Sequence, residues 1–421
     1  MSIIALYRQA YHGLPRRAWI LFAVNLVNSS GSMVIFFLSL YLTRKLGFTT
    51  AAAGQALSLY GLGSLAGAYL GGWLADRVGS IRAQKASLAV CGVLLIALGQ
   101  VRSAWGILPL LFGFALAAGM LYPANATSMS KICPPDIQVK GFALNRLANN
   151  LGATIGPAVG GVLAVRDYRL LFWADGLTSL AATVVFALLW REGRKARSET
   201  EAAAEPAPVP KEPAAASLSA EPEDRPAKAT SPWRDGPFLL MMLVFFVWSA
   251  VFIQVLTTYP LYMKNVYGLA ENRIGQLFAV NTILIVLLEM ILMEKIRKYP
   301  LTRMINLSFI LLGAGLGLMP LGRGFAYAAL TVAIWTFGEM LSMPLVTALI
   351  AGRATNATRG RYMGIFSLGF SLAFVVAPAA GTAVYDHFGG DAVWIVCAAL
   401  CLILAAAFSA LRPHLGGEGK E

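Results

Sequence analysis

Four ionisable side chains stand inside long apolar runs of this chain. Glu339 falls near the middle of its run, in Trp335-Thr-Phe-Gly-Glu339-Met-Leu-Ser-Met-Pro344; Arg146 and Glu289 sit toward one end of two others, and Asp175 toward the opposite end of a fourth. An ionised group in hydrocarbon costs several kcal/mol unless it is paired or hydrated, so each is a functional candidate by default. A carboxyl in that setting can take up and release a proton. Arg146 and Glu289 lie at similar depth and can neutralise each other, which would make Glu289 structural. Glu339 is therefore the first candidate for proton coupling, with Glu289, Asp175 and Arg146 behind it. The plainer role for Asp175 is a buried hydrogen-bonding post.

Neutral polar and aromatic residues surround these charges. Asn25, Asn28 and Ser32 share one helix face at spacings of three and four; Tyr122, Asn125, Asn149 and Asn281 add to them, with Trp248, Phe252, Tyr259 and Trp335 as the aromatic part. Amides and aromatics with few charges suit a small amphipathic organic solute better than a phosphate or a sugar acid. For any single aromatic, packing in the interior or against lipid carries equal weight. No metal-like His/Cys/Asp grouping and no Ser-His pair is present, and His12, His387 and His414 all lie at ends or in loops. The chain reads as no enzyme, with no cofactor beyond a proton gradient. Cys91, Cys133, Cys397 and Cys401 read as small packing residues.

The elements that must position these groups are membrane helices. Of 421 residues, 57% are hydrophobic and 13% charged, about half the charge of a soluble domain. Apolar runs predict twelve helices near 18–42, 51–75, 84–101, 106–131, 141–165, 170–190, 237–262, 274–294, 301–319, 325–350, 362–385 and 391–411. An even number puts both termini on one side. That side holds 25 of the 34 Lys and Arg and the other 8, with Arg146 inside a helix, so both termini are expected to be cytoplasmic. The net charge of +13 is spread in short clusters between apolar runs, which fits an anionic leaflet and not nucleic acid. No cleavable signal is expected, because Arg16 and Arg17 precede an apolar run too long for one.

Residues 192–234 switch to Ala, Pro, Glu and Ser, a composition that cannot bury enough surface to fold; a disordered tether is expected there. It separates residues 1–191 from 235–421. These two parts repeat each other at a fixed offset: Tyr41, Gly47, Gly54, Gln55, Pro123, Pro157, Gly160 and Trp173 recur as Tyr262, Gly268, Gly275, Gln276, Pro344, Pro378, Gly381 and Trp394. A register held across so many segments implies two parallel copies of a six-helix unit.

Two motifs sharpen the reading. Gly71-Gly72-Trp-Leu-Ala-Asp76-Arg77-Val-Gly79-Ser-Ile-Arg82 turns the chain between the second and third helices on an acid and two arginines, where Gly71 and Gly72 are expected to permit close backbone approach and Gly79 a positive φ. Gly152-Ala-Thr-Ile-Gly156-Pro157-Ala-Val-Gly160-Gly161 strips side chains from a face of the fifth helix and allows a kink at Pro157. The first motif resembles the loop signature of the major facilitator superfamily, and the second resembles the antiporter signature of its drug:proton members.

This resemblance implies an all-α fold of twelve transmembrane helices in two six-helix pseudo-repeats, with a solute site between them. It also implies that Gly72, Asp76, Arg77, Gly79 and Arg82 form a latch with Asp136 and with Arg359 and Arg361 at the start of the eleventh helix. The arginine that such antiporters carry in the fourth helix is missing from Leu111 to Pro123, and Arg146 is the available substitute. The expectation is a monomeric, proton-coupled exporter of small organic compounds in a bacterial inner membrane, touching lipid, protons and solute. An uptake symporter or uniporter is the alternative, and a membrane sensor or enzyme a remote one.

Overall fold

The computed structural model describes residues 12–134, 137–190, 232–354 and 358–414. Among these, twelve crossings are built from fourteen α-helices, because the first and seventh crossings are each broken into a long and a short piece. The first half comprises α1 (Arg16–Gly31), α2 (Val34–Leu40), α3 (Thr50–Leu74), α4 (Ser80–Gln100), α5 (Ala104–Ile132), α6 (Gln138–Arg166) and α7 (Arg169–Leu189). The second comprises α8 (Gly236–Thr257), α9 (Tyr259–Asn265), α10 (Glu271–Ile296), α11 (Leu301–Gly317), α12 (Phe325–Arg353), α13 (Arg359–Phe388) and α14 (Gly390–Leu411). Ten segments are long and apolar enough by composition to span a bilayer. One of them, Thr50–Gln100, folds back on itself at the Asp76 motif and so supplies two crossings. The polar amides of α6 keep it out of that set although its 29 residues are ample for a crossing.

The repeat is visible in the backbone. Helices α5 and α12 are both 29 residues long and begin 221 residues apart, the separation that also relates Arg44 to Asn265. Gly47 and Gly268 occupy equivalent turns with φ of 71° and 68°, values that only glycine adopts freely. Arg44 in the first copy hydrogen-bonds its counterpart Asn265 in the second.

The halves meet most closely at the face opposite the hinge, called here the far face. Ala51 N donates to Asp386 at 2.8 Å and Tyr168 Oη to Glu271 at 2.7 Å, and the Phe36 and Phe278 rings meet edge-on at 4.9 Å. Along α3, Gly54 and Gly61 lie so close to α13 that a β-carbon would come within 1.9 Å of Thr382 and 2.5 Å of Phe374. Gly63, Gly67 and Gly71, on another face of α3, pack on α5 of their own half, whereas on the Gly54/Gly61 face Gly72 meets nothing within 4 Å of a built β-carbon and nearby Tyr69 is 78% exposed. The two halves therefore diverge toward the basic face, the one carrying the hinge, the start of α1 and the end of α14.

Within the second half, the basic face is tied by a network that sequence reasoning missed. The Asp235 carboxylate caps α8 by accepting from Phe238 N at 3.1 Å. It also accepts a bidentate pair from Arg353 of α12, both at 2.7 Å, and the Tyr362 hydroxyl of α13 at 3.0 Å. Three helix ends converge on one carboxylate. Of the expected tether, residues 192–231 lie outside the described residues, whereas Pro232–Arg234 form a 3-10 turn with Pro232 buried, leading into this anchor.

The Arg353 guanidinium holds the Asp235 carboxyl below its ordinary 3.8, against the upward push of burial. A depressed pKa stabilises the fold at all pH values above the unfolded pKa and is lost as pH falls through the folded one. Asp235→Asn is expected to cost roughly 1.5–3 kcal/mol, read as a lower melting temperature of the purified protein near neutrality. The gap from wild type should close as pH drops below about 4; a gap that persists unchanged at lower pH would show that the carboxylate charge is not what holds these ends.

Candidate functional site

The first crossing breaks between Gly31 and Val34, leaving backbone donors without helical partners in the apolar interior. Asp175 of α7 answers both: its Oδ2 accepts from Met33 N and Val34 N, each at 3.2 Å. Asp175 is 5% exposed, so these bonds replace water that is absent.

The glycines of the second motif fit around that break. A β-carbon on Gly152 would lie 2.3 Å from Ser29 Cβ, on Gly156 3.0 Å from Ser32 O, and on Gly160 2.7 Å from Met33 Cβ. Gly161 points elsewhere, where a β-carbon would come 2.5 Å from Glu271 O of α10, and Gly275 of α10 presses on Pro157 O. One helix thus uses successive glycines to hold the broken crossing of its own half and a helix of the other half.

Beside the break lies a cleft of about 180 Å3 lined by carboxamides from four helices. Asn25 Nδ2 donates to Asn149 Oδ1 at 2.7 Å and Asn145 Oδ1 at 2.9 Å, and Ser29 Oγ to Asn149 Oδ1 at 3.1 Å. Gln84 donates to Ser128 Oγ at 2.6 Å, and Ser179 to Asn28 Oδ1 at 3.2 Å. Asn125 Oδ1 is buried with no partner, and Tyr122 at the rim is 76% exposed. Ligand sites run from about 300 Å3 upward, so this cleft by itself is smaller than a site that encloses a whole organic solute.

The expected cavity residues divide. Asn25, Asn28, Tyr122, Asn125 and Asn149 line the cleft, whereas Ser32 turns back to bond Asn28 O at 3.2 Å. Trp248, Tyr259 and Trp335, expected on the solute wall, are instead packed in the second half with exposures of 2%, 0% and 2%. Their flat bodies fill that core, Tyr259 between Phe278 and Trp394, and Trp248 stacked on the half-buried Phe252. Ser29, Gln84 and Asn145 escaped the sequence reading. Ser29 follows Asn25 by four and Asn145 precedes Asn149 by four, and that spacing was the signal available.

The remaining charges are arranged differently. Arg146 of α6 and Glu289 of α10 form an ion pair across the halves toward the basic face. Glu339 of α12 accepts from Asn281 Nδ2 of α10 at 2.8 Å, and Asn281 also donates to Thr336 Oγ1 at 3.0 Å. No cation pairs with Glu339 among the described residues.

At the hinge, Ala75–Gly79 form a π-helical turn, Gly79 has φ 92° with nothing near its missing β-carbon, and Arg77 stacks on Trp73 at 4.3 Å. Gly71 makes the close approach, to Met120 of α5, while Gly72, expected to share it, faces open space because one residue turns it about 100° away. Asp76 is exposed and unbonded among the described residues, Arg82 and Arg361 are exposed, and Asp136 and the Arg359 side chain lie outside the described set.

Asp175→Ala would orphan Val34 N and leave Met33 N with only its turn bond to Gly31 O at 2.6 Å; an orphaned donor costs about 1–3 kcal/mol, which should lower the melting temperature by several degrees. Asp175→Asn keeps one acceptor and should lose less. Equal loss by both variants would mean that the charge, and not the acceptor, supports the break.

Comparison with known proteins agrees with this architecture. The chain is 25% identical to a Na(+), Li(+), K(+)/H(+) antiporter of Planococcus maritimus, over 84% of this chain and 85% of that one. It is also 25% identical to the multidrug resistance protein MdtH of Edwardsiella ictaluri, over 86% and 85%. The crystal structure of peptide transporter POT in complex with sulfate superposes with a TM-score of 0.76 over 97% of both chains at 19% identity, a likeness of fold. The Major Facilitator Superfamily model matches residues 20–360 and 337–420, nearly the whole length. By fold, by repeat and by this match, the chain belongs to the Major Facilitator Superfamily, whose members here are membrane transporters and not enzymes.

Proposed function

We propose that this transporter exports a small amphipathic or hydrophobic organic solute across a bacterial plasma membrane in exchange for protons, with its basic face in the cytoplasm. The solute sets its polar edge in the carboxamide cleft and its body between the halves, 1–191 and 235–421, which rock about the far face. The observation that carries the reading is the contrast among three acids within the membrane. Glu289 is neutralised by Arg146, and Asp175 is committed to two backbone donors. Among the described residues the Glu339 carboxyl has only the Asn281 amide, which can hydrogen-bond a carboxyl in either protonation state, so its proton is the one free to come and go. A solute shifts the balance of states only through its differential affinity for them, and protonation of Glu339 supplies the opposing bias. The names of the antiporter and multidrug relatives agree with an exchanger of this kind.

When the basic face shuts, Asp76 meets Arg361 and Arg359 at the start of α13, with Arg77, Arg82 and Asp136 completing the latch and Gly72 and Gly79 shaping its turn. In the present arrangement that face is open and Asp76 is free for this contact.

Glu339→Gln is expected to abolish uphill movement of a fluorescent lipophilic cation in proteoliposomes with an imposed pH gradient, while solute binding is retained. Undiminished uphill transport would remove Glu339 from the coupling. Asp76→Asn should favour the open basic face, read as faster thiol labelling of Tyr122→Cys at the cleft rim; unchanged labelling would count against the latch.

A further inference from the structure

A second cleft, which shares no lining residue with the carboxamide cleft, opens on the first half at the basic face. It has a volume of about 370 Å3 and is lined by Arg16, Arg17 and Ile20 at the start of α1 and by Leu188, Leu189 and Trp190 at the end of α7. Both arginines are exposed, and neither forms an ion pair among the described residues. The Arg17 guanidinium lies 5.4 Å from the centre of the Trp190 ring, which fixes its position by a cation–π contact. Leu188 and Leu189 are 63% and 49% exposed and continue the cleft along the membrane-facing surface of α7.

We propose that this cleft binds one anionic phospholipid, with its phosphodiester between Arg16 and Arg17 and an acyl chain along Ile20, Leu188 and Leu189. Each wall calls for a different part of that ligand. Two guanidiniums with no ion-pair partner among the described residues, one held in place, match the paired oxygens of a phosphate. The apolar floor matches a hydrocarbon chain, which free phosphate lacks. A tryptophan at the end of a crossing sits at headgroup depth, so both parts are met at the level where a lipid presents them. A zwitterionic lipid neutralises its own phosphate and gains less from two arginines. Bound there, the lipid bridges the first and sixth crossings at the start of α1, the same helix that carries Asn25, Asn28 and Ser29 of the carboxamide cleft.

The test uses the full chain in detergent. Phosphatidylglycerol, phosphatidylcholine and inorganic phosphate are titrated separately, with melting temperature and lipid retention in native mass spectrometry as readouts. Phosphatidylglycerol should raise the melting temperature and be retained at one copy, with neither effect from phosphatidylcholine or phosphate. The Arg16→Ala/Arg17→Ala variant should weaken retention roughly tenfold or more, and Arg297→Ala/Lys298→Ala, which removes two exposed cations from the same face, should leave it unchanged. Equal stabilisation by phosphatidylcholine, a shift reproduced by phosphate alone, or equal loss in the two double variants would each overturn the assignment. The wild-type comparison of the two lipids stands even if a variant fails to fold.

Discussion

The structure depends on one constraint, that polar backbone placed in hydrocarbon must be satisfied by the protein itself. Unbroken helices meet it automatically. Where the first crossing breaks, Asp175 accepts from the two exposed donors, and the chain gains a bend in the middle of the membrane without stranded N–H groups. The seventh crossing breaks at Thr258, where Pro260 has no N–H to give. There the Thr257 and Thr258 hydroxyls reach Gln254 at 3.3 and 3.1 Å, and Gln254 in turn donates to Ala377 O of α13 at 2.7 Å. The first break is thus tied to a neighbouring helix by the side chain that repairs it, and the second by a glutamine one turn before it.

Close packing does the rest. Lipid tails are as apolar as leucine, so helices in a membrane gain from contact only where they approach closely. Helix α6 achieves this twice, with Gly152, Gly156 and Gly160 against the broken crossing and Gly161 with Pro157 against α10. A displacement between the halves at α10 is therefore felt directly by the helix that seats the break. The carboxamides of α6 and α1 lie along the same contact, so the polar cleft and the seam between the halves share a wall.

Much of this was legible in the sequence, and the reasons differ by residue. Helix existence and depth follow from run length and the fixed offset, which is why α5 and α12 emerge with equal lengths and why Arg146 and Glu289 could be matched by depth alone. Rotation about the helix axis was harder to read, since the bilayer rewards an apolar side chain equally whether it faces lipid or core. Trp248, Tyr259 and Trp335 were accordingly set on a wall when they fill an interior. Asp235, Arg353 and Tyr362 come from three separate crossings, and no local spacing announces that they meet. The amides were partly legible: Asn25 and Asn149 stood out singly, while their bonding to each other required the fold.

The hydrogen bond between Arg44 and Asn265 joins positions that correspond in the two copies. Were arginine present in both copies, that point would set one guanidinium against another at the very place where the far face draws shut, and like charges would push the face apart. Replacing one member by an amide turns repulsion into attraction. Arginine opposite an amide is thus compatible with a closed far face where arginine opposite arginine would resist it.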